Sequence, residues 1–431
     1  MRHRLGVLAA LLFALALGAC TNETDTASSA DQPVTLRTGT WHANITVPGG
    51  DIRFGMELSR VDDQLEVTLI NGSERVRVPE VNLSDDRLLL RFPAFNNEIR
   101  ARVQDGKLSG TLTLVKRYGK TQAMPFVAIP GARPVAEDVV PANGDLSGRW
   151  AVTFTEPDGT QYPAVGEFRQ RGNRLLGTFL TQTGDYRYLG GSVSGRNFEL
   201  STFDGAHAFL FKARADESGA LTGQFWSGTE YEESWTGRRD EAAKLADPTT
   251  LTALKDGYDR FTFEFPDLEG NPVSIDDPQF DGKVILVTLA GSWCPNCHDE
   301  AAFMAEIYPR YRDQGVEIVA LMFEHLEATD EAAEQVRLFR EKFGIEYVTL
   351  LAGVSDKTLA NEALPSLNKV LAFPTTIFID RRGEVREIHT GFSGPGTGQH
   401  YDETRNLITG LLDTLVAEPV EVAKTSALLD P

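Results

Sequence analysis

Hydrophobic and polar residues alternate along much of the first half of the chain. Short alternating stretches recur between residues 35 and 130, and turn-forming sequences such as Asn71-Gly72-Ser73 and Asp105-Gly106 separate them. Alternation with a period of two predicts half-buried β-strands, and Gly after Asn or Asp favours tight turns. Strands are therefore predicted over seven ranges: 40–47, 52–59, 64–69, 75–78, 87–92, 98–103 and 107–114.

A second block repeats the pattern of the first. Residues 131–145 are rich in Pro, Gly, Ala and acidic residues, which is typical of a linker, and residues 146–240 return to short alternating stretches. Gly39-Thr40-Trp41 aligns with Gly148-Arg149-Trp150 at the start of each block. This similarity predicts two all-β repeats, each folded as a barrel or a sandwich. Aromatic residues of the second block either line a groove or form its core.

Residues 241–257 are predicted to connect the second block to a region with a different pattern. Continuous apolar runs at residues 283–289 and 316–323 are typical of buried parallel strands. Helices are predicted over residues 294–312, 330–343 and 401–417, and two strand pairs over 261–265 with 273–275 and 375–379 with 385–389. Residues 258–417 are therefore predicted to form an α/β domain, with a tail at residues 418–431.

The first 20 residues have the pattern of a secretion signal. Arg2 and Arg4 precede an apolar stretch that is short for a membrane span, and Leu17-Gly18-Ala19-Cys20 follows. This sequence resembles the lipobox of bacterial lipoproteins, which implies that Cys20 is lipidated and that residues 21–34 are a flexible tether. An ordinary cleaved signal is the alternative. Thr21, in the place of an acidic residue, favours the outer over the inner membrane, so we expect an anchored protein that faces the periplasm.

Composition limits the partners of the chain. Its 431 residues include 62 acidic and 42 basic side chains, a net charge of −20, which argues against binding to the nucleic-acid backbone. There are three cysteines, and Cys20 is assigned to the lipid. The remaining pair therefore has no internal cysteine to exchange with, and it is expected to act on other molecules.

That pair lies in Trp293-Cys294-Pro295-Asn296-Cys297, at the start of a predicted helix. Helix N-termini stabilise thiolates, and a second thiol one turn later can attack a mixed disulfide. Cys294 is therefore predicted to be the exposed nucleophile and Cys297 the buried resolving thiol. The sequence has no second such pair or His pair to complete a zinc site, so no metal or other cofactor is expected. His298 is predicted to be a solvated residue of the first helical turn.

Four features together resemble the thioredoxin superfamily, and within it the periplasmic TlpA/ResA-like thiol-disulfide oxidoreductases. They are the lead-in around Phe265-Pro266-Asp267 with Gly282-Lys283, the WCxxC motif, Glu300 six residues after Cys294, and Pro374 before Thr375-Thr376. The resemblance covers residues 258–417 and implies a redox-active disulfide between Cys294 and Cys297.

Position suggests roles for the other site residues. Glu300 shares a helix face with Cys297, and a partly buried carboxyl with a raised pKa there would shuttle the proton of the resolving thiol. Pro374 is predicted to be cis and to face the cysteines, so that the backbone of Phe373 pairs with an extended substrate. Trp293 is predicted to pack beside the site and limit its exposed face.

The predicted activity is thiol-disulfide exchange with envelope proteins and a redox partner, more as a reductant than as an oxidant. One alternative is a peroxiredoxin-like peroxidase, which shares the Gly282-Lys283 lead-in but has a Thr where this chain has Gly291. The other is a non-enzymatic envelope protein that binds its partner through the β repeats.

Overall fold

A computed structural model of the protein describes residues 36–132, 140–327 and 329–419. The predicted signal, Cys20 and the tether lie outside these residues, as does the end of the tail. None of the helices within the described ranges is long and apolar enough to cross a membrane.

The first β domain is one open antiparallel sheet. Its strand order is β4-β3-β2-β1-β9-β8-β7-β6-β5. The strands are β1 (Gly39–Val47), β2 (Gly50–Val61), β3 (Gln64–Asn71), β4 (Glu74–Arg77), β5 (Glu80–Ser84), β6 (Arg87–Phe92), β7 (Asn97–Gln104), β8 (Lys107–Val115) and β9 (Thr121–Pro130). All seven predicted strands are confirmed. Two were not predicted, because β5 is short and polar and β9 contains Pro125, which is unfavourable in a strand.

The second β domain is a closed barrel. Eight strands follow the order β11-β10-β18-β17-β16-β15-β14-β12, and pairing of β11 with β12 closes the ring, while β13 extends β12. The strands are β10 (Gly148–Thr155), β11 (Gln161–Arg171), β12 (Arg174–Thr181), β13 (Gly184–Asp185), β14 (Leu189–Ser194), β15 (Asn197–Phe203), β16 (Ala208–Ala215), β17 (Leu221–Ser227) and β18 (Tyr231–Arg239).

The two domains share the features that suggested a repeat. The indole of Trp41 donates to the carbonyl of Arg37 at 2.9 Å, and that of Trp150 donates to the carbonyl of Leu146 at 3.0 Å. Each tryptophan thus fastens the chain four residues earlier to the first strand of its domain. The repeat is therefore visible in three dimensions, although one copy closes into a barrel and the other stays open.

Aromatic side chains fill the barrel. The rings of Phe179 and Phe211 stack with centroids 4.7 Å apart, and those of Phe211 and Phe225 stack at 4.4 Å. Phe154 and Trp235 are buried among them. Such rings bury large apolar areas and stabilise a core. The interpretation as core is confirmed for Phe209, Phe211, Phe225 and Trp235, whereas Tyr231 is 39% exposed and Trp226 lines a groove with Arg53 and Lys212.

The third domain carries a five-stranded sheet in the order β23-β22-β21-β24-β25, with a hairpin of β19 and β20 before it. The strands are β19 (Glu264–Pro266), β20 (Pro272–Ser274), β21 (Val284–Ala290), β22 (Val316–Glu324), β23 (Val348–Val354), β24 (Thr375–Ile379) and β25 (Val385–Thr390). The helices are α1 (Pro295–Arg312), α2 (Thr329–Phe343), α3 (Lys357–Ala363) and α4 (Gln399–Ala417). The predicted elements are confirmed, and the short α3 was not predicted.

The central strand places the cysteine motif. Every residue of β21 is buried, and this strand lies between the parallel β22 and the antiparallel β24. The chain leaves β21 at its carboxyl end and enters α1 a few residues later. Loops at this edge of a sheet are the usual location of functional residues in α/β folds.

Candidate active site

Cys294 and Cys297 form a disulfide at the start of α1, with their Cα atoms 5.2 Å apart. Cys294 is the N-cap of the helix, and the backbone N–H of Cys297 points at its sulfur from 3.2 Å. In the reduced protein the same N–H and the helix dipole would favour a thiolate on Cys294.

Both sulfurs are enclosed. Cys294 is 5% exposed and Cys297 is 1% exposed. The prediction of a buried Cys297 is confirmed, whereas the prediction of an exposed Cys294 is wrong. The reason is packing around the motif, because the sulfur of Cys294 lies 3.4 Å from the carbonyl oxygen of Phe373 and other domains cover the first turn of α1.

The loop before β24 lies directly against the pair. The Phe373–Pro374 peptide bond is cis, as predicted. Trp293 closes the adjacent side, since its ring stacks on His325 at 4.5 Å and meets the ring of Phe373 edge-on at 5.9 Å. The prediction that Trp293 packs beside the site is confirmed.

Glu300 lies on the inner face of α1, which packs on the sheet. It is 2% exposed, more completely buried than predicted. The hydroxyls of Thr288 and Thr376, which face each other across β21 and β24, each donate to its carboxyl group at 2.5 Å. Burial raises the pKa of Glu300 to about 7, and the two hydroxyl donors oppose that rise only in part. The carboxyl is thus poised to gain or lose a proton near neutral pH.

Sequence reasoning missed a second buried acid, Glu324. This residue ends β22, and its carboxylate accepts hydrogen bonds from the backbone N–H of Ser292 at 2.9 Å and from the Ser292 hydroxyl at 2.6 Å. Burial raises the pKa of Glu324 to about 7. The available signal was an acidic residue directly after the apolar run of residues 318–323. Glu324 holds the segment that leads into Trp293 and Cys294.

His298 is on the outer face of α1, between Phe95 of the first β domain and Phe339 and Phe343 of α2. It is 5% exposed, so the prediction of a solvated histidine is wrong. Its ring stacks on Phe95 of the first β domain at 4.1 Å and contacts Lys342 at 2.9 Å. Burial holds the pKa of His298 well below its ordinary value, with Lys342 adding to the effect, so the ring is neutral at pH 7.

Two further residues of the outer face contact the second β domain. The side-chain amide of Asn296 donates to Asp185 at 2.9 Å, and Asp299 forms an ion pair with Arg187. Burial raises the pKa of Asp299 to about 7, while Arg187 opposes the rise. These contacts join residues more than a hundred positions apart, and the sequence carries no signal for them.

The described residues contain no group of three or more His, Cys, Asp and Glu side chains placed to hold a metal ion.

The Redoxin family model matches residues 255–404. The thiol-disulfide oxidoreductase ResA of Geobacillus kaustophilus is 34% identical over 143 residues, which cover 33% of this chain and 74% of that protein. ResA of Halalkalibacterium halodurans is 31% identical over 140 residues, or 31% of this chain and 68% of that protein.

Among solved structures, the thiol:disulfide interchange protein of the thioredoxin family from Chlorobium tepidum TLS matches with 19% identity and a TM-score of 0.26. The match covers 36% of this chain and 99% of that one. The relatives named ResA are thiol-disulfide oxidoreductases, which agrees with the disulfide between Cys294 and Cys297 at the start of α1. The chain belongs to the family of ResA thiol-disulfide oxidoreductases, and it is an oxidoreductase.

Proposed function

We propose that the protein is a lipid-anchored reductant of disulfides in envelope proteins, with Cys294 as nucleophile, Cys297 as resolving thiol and Glu300 as proton carrier. The observation that carries this proposal is the buried carboxyl of Glu300, on the same helix as the pair, with a pKa raised to about 7. A group that titrates near the working pH is the most effective general acid and base.

The reaction begins with the reduced pair. The thiolate of Cys294 attacks one sulfur of the client disulfide, which forms a mixed disulfide and releases the other client sulfur as a thiolate that takes up a proton. Cys297 then attacks the sulfur of Cys294, closes the internal disulfide and releases the second client thiol. The client gains two electrons from the pair and takes up two protons from solvent, while the proton of the Cys297 thiol passes to Glu300.

Glu300 serves the second step. Cys297 must lose its proton before it can attack, yet it is enclosed where bulk water has little access. The ionised carboxylate of Glu300 takes that proton, and Thr288 and Thr376 orient the carboxylate from the sheet side. When the pair is reduced again, protonated Glu300 returns the proton.

Trp293, Phe373 and Pro374 form the client-binding edge. The carbonyl of Phe373 already faces the sulfur of Cys294, so a client strand that pairs with this backbone is carried to the nucleophile. The ring of Trp293 bounds the same edge.

The place of action follows from the amino-terminal sequence. A lipid on Cys20 and the polar tether at residues 21–34 would hold the domains at the periplasmic side of a membrane, with Thr21 favouring the outer one. A Cys20→Ser variant is expected to leave the membrane fraction. Its retention there would contradict lipid anchoring.

Trapping tests the reaction itself. In cells that express the Cys297→Ser variant, mixed disulfides should accumulate on Cys294, because the resolving step is blocked. A Cys294→Ser, Cys297→Ser double variant is the control and should capture nothing. If the single variant also carries no client, the proposed function is wrong.

A further inference from the structure

The β domains contact the redox motif directly. Three outer-face residues of the first turn of α1 each meet a side chain from a β domain. The pairs are Asn296 with Asp185, His298 with Phe95, and Asp299 with Arg187. His298 also packs on Phe339 and Phe343 of α2, whereas the side-chain partner of Asp299 comes from the barrel.

Asp185 joins two parts of the site. One of its carboxylate oxygens accepts from the Asn296 side chain at 2.9 Å and from the backbone N–H of Gly394 at 2.8 Å. The other accepts from the backbone N–H of Arg187 at 2.7 Å. Asp185 is buried, so these bonds are shielded from water. It therefore fixes Asn296, one of the two residues between the cysteines, and the loop after β25 to the barrel.

Arg187 anchors the same segment. Its guanidinium lies 2.8 Å from Glu74 of the first β domain and 3.2 Å from Asp204 of the second, and it also pairs with Asp299. It donates to the carbonyl of Pro295 at 3.4 Å. Its φ of 56° is unusual for a residue with a side chain, so the surrounding contacts must hold it there.

A third contact closes the opposite side. The backbone N–H of Tyr118, in the first β domain, donates to the carbonyl of His325 at 2.7 Å, and the ring of His325 stacks on Trp293. The motif is thus bordered by the barrel at Asn296 and by the first β domain at His298 and beside Trp293. On the remaining side the carbonyl of Phe373 lies 3.4 Å from the sulfur of Cys294, and Phe373 and Cys294 are 8% and 5% exposed, so little surface is left for a client.

We propose that the β domains select the clients of the redox pair, and that Asp185 is the specificity-determining residue. This inference rests on the proposed function. A site bordered in this way takes a disulfide carried on an extended, flexible segment, which reaches Cys294 along the Phe373 edge. A compact folded protein is hindered by the β domains. Asp185 is decisive because it ties both Asn296 and the Gly394 loop to the barrel.

The test compares two dithiols of different size on the full, oxidised chain. Reduction of Cys294–Cys297 is followed with dithiothreitol and with reduced thioredoxin, a folded protein dithiol, and the ratio of the two rate constants is taken. In Asp185→Ala the rate constant with thioredoxin, divided by that with dithiothreitol, should rise by about tenfold. This factor corresponds to an activation free energy for thioredoxin that is lower by about 1.4 kcal/mol. Asp185→Asn keeps an acceptor oxygen for Asn296 and should return the ratio toward that of the wild type.

The matched control is Glu199→Gln. Glu199 pairs with Arg53 between the two β domains and makes none of the contacts with the motif described above. Its ratio should equal that of the wild type. An unchanged ratio in a folded Asp185→Ala protein would overturn the inference.

If Asp185→Ala does not fold, as judged by circular dichroism, Asn296→Ala removes the same hydrogen bond from the side of the motif instead. A raised ratio then supports the inference, and an unchanged ratio overturns it. Failure of the wild-type disulfide to react even with dithiothreitol would instead contradict the proposed function.

Discussion

Asp299 and Glu300 are consecutive acids on α1 whose surroundings are opposite. Burial raises the pKa of both to about 7. Glu300 faces the sheet and bonds to two threonine hydroxyls, whereas Asp299 faces the β domains and pairs with Arg187. An ion pair holds a carboxylate in place, while hydroxyl partners leave it able to exchange a proton. We therefore expect Glu300 to transfer protons on the inner face of the helix and Asp299 to hold the helix to the β domains on the outer face.

The largest expected effect is a loss of turnover, and it distinguishes a residue on the inner face of α1 from its neighbour on the outer face. Cys297→Ser should abolish turnover, because the mixed disulfide cannot be resolved. Asn296→Ala, one residue earlier and on the outer face, should retain turnover, because it removes a contact with the barrel and no reacting atom. Multiple-turnover reduction of a peptide disulfide measures both. An equal loss of turnover in the two variants would contradict the separate roles assigned to the two faces of α1.

The next effect concerns the two acids. Glu300→Gln should slow disulfide exchange at pH 7 by about a hundredfold, within the range for loss of a general base. Asp299→Asn is the matched variant and should stay near the wild-type rate. Stopped-flow measurement of single-turnover exchange with a peptide disulfide compares them, and a larger loss in Asp299→Asn would reverse the assignment.

Stability gives a third comparison. Because the pKa of Glu300 rises from 4.5 unfolded to about 7 folded, ionisation of this group opposes folding. The cost is absent below pH 4.5 and complete above pH 7, where it reaches about 3 kcal/mol. Glu300→Gln should therefore gain stability relative to the wild type by about that amount between pH 4 and pH 8. Urea unfolding at both pH values measures the gain, and a pH-independent difference would contradict it.

The smallest expected effect is a shift in the pKa of Glu300, which lies on the inner face of α1. Thr376→Val removes one hydroxyl donor to Glu300, so the pKa of that carboxyl should rise further, by about one unit for a hydrogen bond to a charged group. The pH midpoint of exchange should rise equally. Thr375→Val is the control, because the hydroxyl of Thr375 donates to the carbonyl of Ala372. If the pH midpoint of exchange shifted equally in both variants, Glu300 would not be the group that sets this midpoint.

The sequence predicts the inner face well because local patterns define it. The apolar run of β21, the cysteine spacing, Glu300 on the next turn and Pro374 before β24 all follow from short segments with one strong period or motif. The β-strands follow equally from alternation and turn residues. Short polar or proline-containing elements, such as β5 and β9, carry weaker patterns and were not predicted.

The outer face could not be predicted in this way. Phe95, Asp185 and Arg187 belong to no sequence motif, and only domain packing brings them to α1. Phe95 together with Phe339 and Phe343 of α2 buries His298, whose position in a first helical turn indicates solvent. Hydrophobic periodicity and motifs describe each domain by itself, so they do not predict the contacts between domains.

The most direct measurement is the pH dependence of mixed-disulfide resolution in the wild type and in Glu300→Gln. A mixed disulfide is formed on Cys294 with a small aromatic thiol, and its release is followed by stopped-flow absorbance. If Glu300 accepts the proton of Cys297, the wild-type rate rises with a midpoint near pH 7, and that midpoint is lost in Glu300→Gln. The same midpoint in both proteins would show that another group carries the proton.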